Sequence, residues 1–130
     1  MDLRERRSLL IVNENPDRKI DYVASLSGRI ALDDQTYDLN LRYVPDRSVL
    51  KSTHFADYLN VMGKQNWGTP EDLAVTVLSD VNNELICRWV QVNLCSNPTK
   101  NVSGFAHSVV IEDRQPGWDN PPLLGRLTRV

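Results

Sequence analysis

Few residue types in this chain could do chemistry: a carboxylate at a helix start, a tryptophan near it, two cysteines and two histidines. Glu71 follows Thr69 and Pro70. When ionised, a carboxylate only accepts hydrogen bonds, and its two oxygens can take both the ring N–H and the exocyclic amine of a guanine-type edge. Trp67, just before Gly68, offers a flat face on which such a base could stack. Each residue also has a plainer account. Glu71 can simply complement the positive end of a helix dipole, and Trp67 can fill a gap between subunits.

Cys87 and Cys95 stand eight positions apart in a segment read as a strand, which would put both on one side of it, roughly 26 Å apart. That separation excludes a direct disulfide or a shared metal unless the strand breaks, and two cysteines suit a reducing compartment. His54 and His107 could each join one cysteine, yet no short metal-ligand spacing appears. No metal is therefore expected, and the thiols are read as structural. His54 and Asp57 read as a surface polar pair on one helix face. His107 alternates with Phe105 and Val109 and reads as a satisfied core histidine. Phosphate loops, His-Glu-x-x-His and Gly-x-Ser-x-Gly are absent, so no catalytic residue is assigned from motifs.

The elements that must carry these groups can be read from periodicity. Ile20, Tyr22, Ala24 and Leu26 alternate with polar residues, Asp33-Asp34-Gln35 reads as a turn, and Tyr37, Leu39, Leu41 and Tyr43 make the cleanest half-buried strand. Pro45 ends it. A helix is expected over about Ser52 to Met62, with Phe55, Leu59 and Met62 on one stripe and Gly63 as terminator. The next helix is better marked. Thr69 is an N-cap, Pro70 suits the first turn, Glu71 and Asp72 favour the dipole, and Leu73, Val77, Val81 and Leu85 recur every four residues. Val90, Val92 and Leu94 form one strand, residues 97–101 a turn, and Phe105, His107, Val109 and Ile111 the face of the last strand. The order is α+β: strand, strand, helix, helix, strand, strand. A four-stranded antiparallel sheet of this kind has two open edges, which must be covered or paired.

A chain of 130 residues fits one domain. Its formal net charge of −2 argues against a general grip on nucleic acid. The Arg4, Arg6 and Arg7 cluster reads as a solvated tail. No run approaches the roughly 18 apolar residues of a membrane span. Leu9-Leu10-Ile11-Val12 is too short for a signal peptide, so a cytoplasmic protein is expected.

Three stretches, taken in order, resemble the 7-cyano-7-deazaguanine reductase family: Tyr43-Val44-Pro45-Asp46-Arg47, Thr69-Pro70-Glu71, and Glu112-Asp113-Arg114-Gln115-Pro116-Gly117-Trp118. The resemblance implies a tunnelling fold (T-fold) in ββααββ order. It would span residues 13–118, between an N-terminal tail (1–12) and a C-terminal tail (119–130). It also implies an oligomeric barrel of identical subunits joined edge to edge, with ligand sites between neighbours. That family reduces a nitrile to an amine with NADPH on the route to queuosine. Glu71 matches the glutamate that grips the base, with Pro70 at the position of a histidine. The departures are chemical. The cysteine nucleophile falls near Gly28, and the catalytic aspartate near Gln35, with Asp33 and Asp34 close by. The NADPH clamp becomes Lys51, Thr53 and Ala56, and an arginine before the last strand is replaced at Val102-Ser103-Gly104. A thioimide needs a thiolate, and glycine has no side chain.

The expected protein is thus a divergent member that binds a purine-, 7-deazaguanine- or pterin-like base through Glu71 and Trp67. Nitrile reduction is lost or replaced, and NADPH is a cofactor only if the family activity survives. The alternatives are a working reductase using non-standard residues and a non-catalytic assembly subunit, with or without a partner chain that completes the pocket.

Overall fold

Tyr37, Leu39, Leu41 and Tyr43 are all buried, and the strand that carries them, β3 (Gln35–Val44), lies inside the main sheet. The computed structural model describes residues 2–32, 35–96 and 106–127. β3 pairs antiparallel with β2 (Ala24–Leu32) on one side and with β5 (Trp89–Ser96) on the other. β5 pairs in turn with β6 (Ser108–Arg114). The order β2-β3-β5-β6 leaves β2 and β6 as edges. Two helices cover one face: α2 (Ser52–Gly63) over β2, and α3 (Pro70–Leu85) over β5 and β6. The architecture is α+β with a four-stranded antiparallel sheet.

Local chemistry explains both helices. Thr69 Oγ1 accepts the Asp72 amide at 3.1 Å, and Pro70 opens α3, so two of the usual orphan donors are accounted for. Leu73, Val77, Val81 and Leu85 are buried as their spacing predicts, as are Phe55, Leu59 and Met62 of α2. Gly63 ends α2 as its last helical residue, followed by Lys64 in right-handed geometry. The left-handed position belongs instead to Ile86 after α3, at φ 48°.

Several expectations need correction. The first strand of the main sheet starts at Ala24, not Ile20, which is exposed. The Arg88 guanidinium takes the carbonyls of Arg18 and Ile20, so a side chain replaces the ladder there. Cys87 lies before β5, in the turn after α3, and packs into the core, whereas Cys95 sits on the opposite face of the sheet. They do not share a strand face. Asp33-Asp34, residues 97–105 and the altered segment 102–104 lie outside the described residues.

The arginine cluster is only partly a solvated tail. Residues Leu3–Arg7 form helix α1, and Val12–Glu14 form strand β1, which pairs with β4 (Ser48–Leu50). Arg6 and Arg7 turn inward on Asp80 of α3, whose side chain is fully buried. Asp80 accepts Arg6 Nε at 2.6 Å, Arg6 Nη2 at 3.0 Å, Arg7 Nε at 2.9 Å and the Tyr58 hydroxyl at 2.6 Å. Past β6, residues Pro121–Leu124 form a fourth short helix, α4, capped by Asn120. No described helix is long and apolar enough to cross a membrane.

Candidate functional site

At the end of the sheet where β2 hands over to β3, a cleft of about 250 Å³ opens beneath the loop between α2 and α3. Leu32, Gln35 and Tyr37 form its sheet side, and Trp67, Gly68, Thr69 and Pro70 its loop side. Trp67 is held in place by its indole N–H, which donates to the Met62 carbonyl at 2.8 Å. That bond closes the turn leaving α2 and sets the ring against the core. The volume is small for a drug-sized ligand and suits a single flat heterocycle.

Glu71 stands one residue beyond this lining, on the β6 side of the Thr69-Pro70 turn. Its carboxylate Oε2 lies 2.8 Å from His107 Nε2, and its side chain is 53% exposed, so half of the group still faces solvent. Its pKa lies below the ordinary carboxylate value. The largest cause is the amide at the start of α3, and the His107 hydrogen bond adds to it. Because an ionised carboxylate can only accept, Nε2 must carry the proton in this pair.

His107 is not the core histidine that its alternation suggests: its side chain is one-third exposed and bonds Glu71. It faces the helices, as alternation with Val109 and Ile111 requires, but it sits just ahead of β6 and under the first turn of α3. Its backbone is fixed by Ser96. The His107 amide donates to Ser96 Oγ, and its carbonyl accepts the Ser96 amide, both at 2.8 Å. Ser96 is buried and in register with Tyr37. Tyr37 of β3, Ser96 of β5 and His107 just ahead of β6 therefore form one row, running from the cleft to Glu71.

The positions where reductase chemistry would fall have other roles. A Cβ on Gly28 would stand 2.5 Å from Leu59 Cδ1, so the glycine is where α2 closes on β2. Gln35 lines the cleft and accepts from the Tyr37 hydroxyl at 3.3 Å. Lys51 precedes α2 and is exposed, and Thr53 bonds its neighbour His54 through Nδ1 at 3.3 Å. Burial pushes the Cys87 thiol up to about 12, where thiolate is scarce at neutral pH. Among the described residues no group of three or more His, Cys, Asp or Glu side chains could hold a metal ion.

The other two resembling stretches meet at the opposite end of the sheet. Asp46 Oδ2 accepts from Gln115 Nε2 at 3.2 Å, and Asp46 Oδ1 lies 3.4 Å from both Arg18 and Arg88. Asp21 receives Arg88 at 2.8 Å, Asn120 at 3.0 Å and the Trp118 indole at 3.3 Å. Burial alone would raise Asp21; these three donors outweigh it and hold its pKa below the ordinary value. No protein-family model and no curated protein matches this chain.

Proposed function

We propose that this chain is a divergent relative of the 7-cyano-7-deazaguanine reductases on a tunnelling fold. It binds a purine-, 7-deazaguanine- or pterin-like base through Glu71, and nitrile reduction has been lost or replaced. The observation that carries the reading is the Glu71 carboxylate: ionised, half-exposed, and next to an edge strand at the same end of the sheet as the Trp67 cleft. Glycine packed against Leu59 at the nucleophile's position supports the loss of thioimide chemistry.

Edge geometry supports self-assembly. β2 and β6 run antiparallel to each other, so β2 of one copy can extend the sheet beyond β6 of the next without changing the pattern. Such pairing would bring the cleft at the β2 edge of one copy towards Glu71 at the β6 edge of its neighbour. The base then lies at the seam, with a carboxylate on one side and Trp67 on the other.

Calorimetry against guanine, 7-cyano-7-deazaguanine and a pterin tests the proposal. Binding to at least one of them, abolished by Glu71→Gln, is expected, and silence from all three sinks it. NADPH absorbance in the presence of the nitrile is expected to stay constant; a steady decline would favour a working reductase with non-standard residues. A non-catalytic assembly role is the other reading, resting on the two sheet edges β2 and β6. It wins if Glu71→Gln changes no binding while oligomer size persists.

A further inference from the structure

The Glu71 side chain is long, half in solvent, and rooted in the first turn of a helix, where its own amide and the Thr69 side chain hydrogen-bond it locally. A further partner comes from the sheet: His107. We infer that His107 is a positioning residue for this carboxylate: by donating from Nε2 to Oε2 across the gap between α3 and β6, it holds Glu71 ready for a ligand. The inference rests on the base-binding reading given above and assigns to that site a residue that no resembling stretch contains.

The backbone that carries the imidazole is anchored, which is what positioning requires. Two backbone bonds to Ser96 lock residue 107 against β5, and Ser96 is buried. The ring is one-third exposed, and its other nitrogen, Nδ1, makes no hydrogen bond to a described residue. Residue 107, bonded to β5 just ahead of β6, thus presents one N–H donor to a half-exposed acid. The acid keeps further lone-pair directions for a ligand, since a carboxylate can accept about four hydrogen bonds. Holding one rotamer of a glutamate in advance is worth about tenfold in affinity.

The test compares wild type, His107→Ala and His107→Gln, each titrated with guanine and with pterin. Glutamine places an N–H donor near the position of Nε2, so it separates positioning from bulk. His107→Ala should weaken binding about tenfold with an unchanged thermal midpoint, and His107→Gln should recover most of the loss. Equal affinity in all three overturns the inference.

If wild type takes neither probe, nor 7-cyano-7-deazaguanine, the base-binding reading falls, and the positioning role is judged on the carboxyl itself. In a carbon-13 titration of Glu71 Cδ, the midpoint should rise in His107→Ala, yet stay below the ordinary 4.5 because the helix amide is untouched. Superimposable curves for wild type and His107→Ala overturn it on that ground alone.

Discussion

The two ends of the main sheet are built on opposite plans. At one end, Asp21, Asp46, Arg88, Gln115, Trp118 and Asn120 bond one another, and every carboxylate has several donors. At the other end, Glu71 and His107 form a single pair beside an open cleft, and half of the carboxylate is left to solvent. Two of the three stretches that resemble the reductases belong to the closed end, about 30 Å away along β3. They tie three chain segments together and touch no cavity near Glu71. Those two stretches serve the packing of the closed end, and the ionisable groups of the open end are Glu71 and His107.

The largest expected effect lies in the anchor midway along α3. Asp80→Ala would strand two arginines and a buried tyrosine hydroxyl, whose titration is pushed up by burial and by Asp80. It should cost about 3–5 kcal/mol in urea unfolding; a loss below about 1 kcal/mol would show that α1 is held by other contacts. At the closed end, Arg88→Ala removes four side-chain bonds and should cost about 2 kcal/mol. Glu71→Gln at the open end should leave the urea midpoint unmoved. Equal damage at both ends would erase the contrast between them.

Gly28→Cys sharpens the chemical side of that contrast. The added side chain meets Leu59, so about 1–3 kcal/mol of stability should be lost. No nitrile-dependent NADPH oxidation should appear, because the acid/base and cofactor positions are still altered. A clear gain of reductase activity would mean that only the thiol was missing.

Acid separates the ends by a smaller margin. Asp21, Asp46 and Asp80 all have pKa values held below the ordinary 3.8 in the folded chain. Their stabilisation is complete above that value and is lost as pH falls through the lower folded one. The Trp118 indole N–H resonance should therefore hold from pH 7 to about 4 and move only below it. A shift already complete at pH 5 would contradict the bonding at Asp21. The smallest effect is in thiol labelling: a maleimide should modify half-buried Cys95 well before Cys87, whose thiol titrates near 12.

Elements with a strong local signature were readable in advance. Thr69-Pro70-Glu71-Asp72 and the four-residue spacing of Leu73, Val77, Val81 and Leu85 dictate α3 from nearest neighbours alone. Strict alternation does the same for β3. The sequence also places Glu71 in the first turn of α3 and Trp67 in the loop before it. What was not legible depends on contacts far apart in the chain. Arg6 and Arg7 look like solvent-facing charges until Asp80, more than seventy residues later, is seen buried beneath them.

The chain's own order of residues determined helix starts and strand faces, because these depend on neighbours within a few positions. Only the tertiary structure decided that His107 meets Glu71, 36 residues away in sequence, and that Asp46 meets Gln115, 69 away. Antiparallel register set both partnerships. Pairing Ser96 with Tyr37 slides the start of β6 under the first turn of α3, and no local pattern encodes that slide.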